Sequence, residues 1–392
     1  MIHYKIYKTI DELPDAWDTL LVHDVFLQTD YLKTLRSASP KTISMYYVGM
    51  FVDEVLSGIA IIQRVELYAK DMFRTESSSR IKAILKDGIS RILKGNILVV
   101  GNLMHTGQHG IYVEKNALSQ PVFLSQLFLA IDELNGFIKN QKKKTIRTIL
   151  WKDYFKEDFI HTENKQFETK GFYHVNVQPN MLLQIRPHWN SMPDYLGDLN
   201  TKYKTRFKRA KKKFGNIRQT ELSLLDVQTN QTRIYELYKN VSNNARFNTF
   251  VLPENHFYEM KKALEDRFRI FGYYKNEELI GFYTLILNGD QLETYFLGYD
   301  QAHQYENQLY LNMLYDMIDF GINNLFKTIV YARTAMEIKS SVGAKPKAMS
   351  MYIKHTNPII NALLQQIFKL MNPSQQWEER NPFKNTDNLK LS

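Results

Sequence analysis

In the stretch YARTAMEIKSSVGAKP, residues 331 to 346, a strand-like run from Thr328 to Tyr331 gives way to Arg333. Lys339 follows in a short helical stretch that stops at Gly343. Two cations where a strand ends can hold a phosphate, a carboxylate or a developing oxyanion, or they are an ordinary basic turn. A second concentration of charge lies between Lys202 and Lys213, where eight of twelve residues are Lys or Arg, with no acid between Asp198 and Glu221. Tyr203, Phe207, Ala210 and Phe214 recur at i, i+4, i+7 and i+11, which predicts a helix with one apolar face. Asn200 or Thr201 caps it and Gly215 stops it. Its other faces are basic without compensating acids, so Arg206 and Arg209 are candidates for a phosphate-bearing ligand; the alternative is a solvated face. No RNA-binding signature accompanies the run, and no DNA partner is expected.

A third candidate is the glycine-rich loop Gly101 to Gly110, where Gly107 and Gly110 would let neutral backbone donors cradle a phosphate, or would only shape a loop. His105 and His109 have the i, i+4 spacing of zinc ligands, but the glycines beside them oppose the helix that spacing needs, so no metal is expected. Ile81, Ile84, Leu85, Ile89, Ile92 and Leu93 form one stripe among Lys and Arg, the pattern of a helix lying on a membrane or packed on its own domain.

These residues need a scaffold, and the bulk numbers bound it. The chain of 392 residues is too long for one small core, and 44% hydrophobic and 13% aromatic content fill two. It has no cysteine, which excludes disulfides and a cysteine nucleophile and fits a cytoplasmic setting, with contact at the inner membrane face as an option. No apolar run approaches the roughly 20 residues that span a bilayer. A formal charge of +10 points to an anionic partner.

The elements repeat. Residues 49–58, GMFVDEVLSG, read like residues 272–281, GYYKNEELIG: a strand, an acidic turn and a second strand opened by glycine. Each copy then continues through a strand (97–100 or 292–297), a loop, an apolar helix (121–138 or 308–322), a strand (146–150 or 329–331) and a closing strand (181–185 or 350–353). The expected fold class is therefore α/β, a mixed sheet with crossover helices, present twice. The boundary falls near Pro187, giving domains 1–187, with a basic helical insertion near 70–95, and 188–392.

This order resembles the GNAT acyltransferase fold, and its doubling resembles the Fem-like, peptidoglycan-biosynthesis branch. FLQTDYL at 26–32 resembles that group's F-x-Q-[ST]-x-[WY] segment, YKTRFKRA at 203–210 its R-x-x-x-R-A helix, and KSSVGA at 339–344 its K-x-x-x-G segment. The resemblance implies transfer of an acyl or aminoacyl group to a small-molecule or lipid-linked amine by direct attack. Alternatives are a coenzyme A- or acyl-carrier-dependent N-acyltransferase of lipid or natural-product synthesis, and a non-catalytic binder of a cell-wall precursor. No cofactor is tightly bound; the donor is acyl-CoA, an acyl carrier protein thioester or an aminoacyl-tRNA. In such folds the donor threads between two splayed strands, here 292–298 and 328–332, and its phosphates meet the following helix N-terminus.

That N-terminal loop, Asp300 to Asn307, has two acids and no glycine, unlike coenzyme A-binding loops, with Asn307 its candidate substrate contact. The resemblance gives Lys339 the place of the lysine near the reacting ester, and Arg333 that of a clamp on carboxylate or phosphate. Glu293 is the candidate proton relay and Tyr299 a second acid. Alternation would put Glu293 and Tyr295 on one face of their strand.

Overall fold

The computed structural model describes residues 1–67, 95–244, 250–371 and 377–384. The amphipathic stretch Arg80 to Lys94, and nearly all of the expected insertion near 70–95, lie outside them. Two compact units divide the chain, one of 1–177, 245–259 and 348–374, the other of 178–244, 260–347 and 375–392.

In the first unit β1 (Ile2–Tyr7), β2 (Ile43–Val52), β3 (Val55–Leu67), β4 (Gly95–Val100) and β6 (Ile146–Phe155) lie side by side in that order. The short β5 (Ile111–Val113) pairs with β3 beyond the end of β4. β4 and β6 are parallel, as the intervening helix Gln120–Gln141 requires. That helix is long and apolar enough to cross a membrane by length and composition. Its residues Phe123, Leu127, Ile131, Leu134 and Ile138 are nonetheless buried in the core of this unit.

In the second unit the order is β7 (Tyr173–Gln184), β12 (Thr328–Val330), β11 (Gln291–Tyr299), β10 (Glu278–Asn288), β9 (Phe268–Lys275) and β8 (Arg218–Glu221). Helix Leu309–Asn323 and the basic helix Thr201–Phe214 cover one face. Helix Gln231–Asn244 packs on β10 and β11 from the other. The basic helix ends as its composition predicts: Asn200 accepts from the Tyr203 N–H at 3.4 Å, and Gly215 follows with φ 62°.

The duplication reaches the turns. Asp53 and Glu54 have φ 46° and 64°, and Asn276 and Glu277 have 50° and 62°, so both hairpins turn through the same left-handed pair. Each hairpin also slips register just past its turn, before Gly58 in one and before Gly281 in the other.

The units do not follow the sequential division at 187. The closing strand of the first copy, β7, supplies Thr328↔Gln184 and Val330↔Leu182 pairs to the second unit. The closing strand of the second, β13 (Lys345–His355), pairs with β6 from Met349↔Phe155 to His355↔Thr148 in the first. The order of elements along the chain is unaffected by such an exchange, because an edge strand satisfies its backbone groups on whichever edge it meets.

Candidate active site

β11 and β12 pair only from Gln291↔Thr328 to Glu293↔Val330. β12 stops there while β11 runs on to Tyr299, so the two part at Glu293 and open a wedge in the sheet. A bulge shapes one wall: Leu285 faces Thr294, but Tyr283 faces Leu297. The Thr284 hydroxyl bridges it, donating to the Phe296 carbonyl at 2.6 Å and accepting the Phe296 N–H at 3.0 Å.

The bulge overturns simple alternation. Leu292, Leu297 and Tyr299 all pack into the same core, which places Glu293 on the opposite face. Gly298 shares that opposite face, where a Cβ would stand 2.4 Å from the backbone of Leu237 and Tyr238. Glu293, 5% exposed, therefore sits at the vertex of the wedge, whereas Tyr299 points into the core, where burial raises its phenol. The two acid candidates are separated.

The other wall leaves the sheet at Val330 through a left-handed path: φ is 58° at Ala332, 67° at Thr334 and 47° at Ala335. Each such residue costs about 1 kcal/mol or more without a glycine, so something must hold the path. Lys339 does. Its Nζ donates to the carbonyls of Tyr331, Ala332 (3.3 Å) and Arg333 (2.7 Å), which uses all three ammonium protons. Burial pushes the Lys339 amine down to about 7, while the carbonyls favour its charged form. Burial also lowers the Arg333 guanidinium to about 10, which leaves it cationic at neutral pH.

Lys339 lies on helix Met336–Ser340, too short to stand alone. A strap from the end of the chain seats it. The Arg380 N–H donates to Ser340 Oγ at 3.0 Å and the Arg380 side chain pairs with Glu337. Phe383 fills the space beside Gly343, whose φ is 104°. Between this helix, the strap residues Trp377 and Arg380, and Arg206 of the basic helix is a cavity of about 420 Å³. Arg209, on the same basic helix, is exposed.

The loop after β11 is already filled. Asp300 accepts from the Ala302 N–H at 3.0 Å, capping helix Gln301–Asn307, and its other oxygen meets Arg233 at 3.3 Å. A carboxylate thus occupies the end of the helix that would receive a donor pyrophosphate. Asp300→Ala should cost about 1 kcal/mol in unfolding free energy, measured in urea, and an unchanged value would show that the cap contributes nothing. Asn307, expected to contact substrate, is buried and ties two helices together, donating to the Lys213 carbonyl at 2.9 Å.

In the first unit, too, one strand outlasts its partner, β6 running on to Phe155 past the end of β4. β4 stays paired with β6 to its last residue, Val100↔Trp151. The loop from Gly101 to Gly110 then packs on the end of β6. The Gly107 N–H donates to Asp153 Oδ2 at 3.3 Å, and Lys152 donates to the carbonyls of His105 (3.0 Å) and Gly107 (3.4 Å). The Gly110 N–H goes to Gln108 Oε1 at 2.9 Å. A Cβ on Gly110 would stand 2.3 Å from the Gly101 Cα, so its glycine is required by that approach. The amides expected to cradle a phosphate serve the loop itself.

Residues 201–340, nearly the whole stretch that builds the wedge, match the model of an acetyltransferase (GNAT) domain. The chain covers 93% of itself and 100% of the structure described as FemX, at TM-score 0.56 and 11% identity. It covers 91% of itself and 99% of a tandem GNAT protein from the clavulanic acid biosynthesis pathway, at TM-score 0.52 and 7% identity. The chain has a tandem GNAT fold. No curated protein sequence matches it. Identities this low carry the fold alone, so the donor and acceptor of this tandem GNAT protein rest on its own residues.

Sequence reasoning missed the devices that shape the site: the Thr284 bridge, the Asp300 cap and the strap from Trp377 to Lys384. Only Asp300 left a readable signal, an acid just ahead of a helical stretch.

Proposed function

We propose that the second copy transfers an acyl or aminoacyl group from an anionic carrier to an amine by direct attack, in the Fem-like manner. The observation that carries this is the wedge whose vertex is Glu293 and whose far wall is clamped by Lys339. The donor's acyl arm enters between β11 and β12. The amine attacks the acyl carbonyl, and its proton passes to the Glu293 carboxylate directly or through one water. As the carbonyl–carrier bond breaks Glu293 returns that proton, so the carrier leaves as thiol or hydroxyl. Arg333 supplies positive charge for the oxyanion, and Lys339 holds the segment that presents it.

The carrier's phosphates have a track outside the wedge. Lys202, Arg206, Arg209 and Lys213 recur along one side of the basic helix, and Arg206 borders the cavity beside Ala335. Of the cations on that helix only Lys211 has an ion pair among the described residues, to Asp316 at 2.7 Å. With Asp300 filling the helix end, an aminoacyl-tRNA or an acyl carrier protein suits this arrangement better than acyl-CoA. A cytoplasmic setting, with a lipid-linked or small-molecule amine as acceptor, accords with that choice.

A thermal-shift panel at low salt tests it, with bulk tRNA, a UDP-linked muropeptide, coenzyme A, acetyl-CoA and long-chain acyl-CoA. A ligand that binds only the folded state must raise the midpoint. The expected result is stabilisation by tRNA or muropeptide that weakens several-fold in Arg206→Ala. Stabilisation by a coenzyme A species alone would replace this reading with the thioester-dependent N-acyltransferase. Binding without turnover, unchanged in Glu293→Gln, would leave a binding module.

A further inference from the structure

We infer that the loop from Gly101 to Gly110 is a plug on the strand end of the first unit, and that protonation of His105 releases it. The inference is independent of the proposed reaction.

The loop is an excursion with a fixed neck. Both ends hydrogen-bond to one residue: the Gly101 N–H donates to the Ile61 carbonyl at 2.8 Å, and the Ile61 N–H donates to the Gly110 carbonyl at 2.7 Å. The tip between them lies over Lys152 and Asp153, held by the three hydrogen bonds from Gly107 and Lys152. Its lifting would uncover the end of β6, an acid and an amine that are both under 10% exposed when the loop is down.

His105 is the weak point of that seat. The residue is partly exposed, yet both ring nitrogens are buried and neither has a hydrogen-bond partner. The ring lies among the rings of Phe26 (4.4 Å), His109 (5.1 Å) and Tyr31 (6.2 Å). A neutral imidazole tolerates such a cage at a cost of about 1–3 kcal/mol for its unmade bonds. An imidazolium does not, because both of its N–H groups and its charge would be buried unpaired.

The charged and titratable groups around it offer no relief. Lys152 is a cation, and its nearest carboxylate, Asp153, stands 2.7 Å from Lys152 itself. The Asp24 carboxylate lies 2.7 Å from His109 Nδ1. Tyr31 is neutral and buried. Burial first, then the charges of His109 and Lys152, hold His105 well below the usual histidine range. A depressed folded-state value means that the seat keeps its full stability above about pH 6.5 and loses it as pH falls below. Water can pair the imidazolium only if the tip lifts, so acid should open the loop before it unfolds the unit.

Hydrogen exchange of the full chain tests this at pH 7.5 and 5.5, with rates corrected for their intrinsic pH dependence. In the wild type, amides 103–109 should open several-fold more at pH 5.5, up to the roughly tenfold limit that one histidine with an ordinary open-state value sets, while those of β2 and β3 stay unchanged. His105→Phe, a ring of similar size that cannot titrate among Phe26 and Tyr31, should abolish that rise. An equal rise in His105→Phe, or none in the wild type, would overturn the inference. If the variant does not fold, the wild type decides by histidine-selective NMR: the opening must follow the His105 titration, and tracking His109 instead sinks it.

Discussion

Lys339→Ala is expected to lower the unfolding free energy of the second unit by about 3–5 kcal/mol and transfer by at least about a hundredfold. The side chain is 5% exposed and its three donors satisfy the carbonyls of Tyr331, Ala332 and Arg333. Without it those carbonyls face a cavity, and the left-handed path that starts at Ala332 loses the clamp at its start. Urea titration reads the first effect. A loss below about 1 kcal/mol would show that the clamp is not structural, and would return Lys339 to direct contact with the reacting ester.

The pH dependence separates the two roles further. The folded value of about 7 lies below the ordinary lysine value of about 10.4, so folded protein binds fewer protons than unfolded between them. Stability should therefore rise from pH 7 towards pH 10, by at most about 1.4 kcal/mol per unit, and Lys339→Met should remove that slope. The three carbonyls pull the other way, so a smaller slope measures how strongly they hold the ammonium.

Gly343→Ala should be the most damaging small change, costing about 3 kcal/mol or more. At φ 104° an alanine is strained before it touches anything, and its Cβ would lie 2.4–2.5 Å from the Phe383 ring. Phe383 has little room to give, since Arg186 stacks over it at 4.3 Å and Trp189 and Tyr195 pack beside it. The expected readout is loss of the strap first: limited proteolysis should cut within 377–384 in the variant while the rest of the second unit survives. A double variant Gly343→Ala, Phe383→Ala should regain part of the loss, because the ring is removed and only the backbone strain remains. No recovery would show that strain alone sets the cost.

The site was only partly legible in the sequence. Arg333 and Lys339 stood out as cations just past a strand end and Glu293 as an acid on the preceding strand; Glu293 lies on one wall of the wedge, and Lys339 bonds the Arg333 carbonyl on the other. Gly107 and Gly110 were chosen from a glycine-rich loop and Asn307 from the loop after a strand, but their polar groups are used within the fold. Residue type cannot tell a free donor from a committed one, because the partner is remote: Asn307 meets Lys213, and Gly107 meets Asp153. Tyr299 failed for a different reason. A bulge near Phe296, bridged by Thr284 from the neighbouring strand, shifts the side-chain alternation between Glu293 and Tyr299.

What the sequence determined by itself is whatever depends on near neighbours. The α/β class, the doubled order of strands and helices, the two acidic left-handed turns and the capped basic helix all follow from periodicity and turn chemistry within a dozen residues. The tertiary structure alone decided where each closing strand pairs, which face of β11 carries Glu293, and that the strand end of the first unit is covered by its own loop. Those outcomes turn on hydrogen bonds and contacts between segments far apart in the chain, and no local pattern records which distant partner a backbone edge or a buried donor will meet.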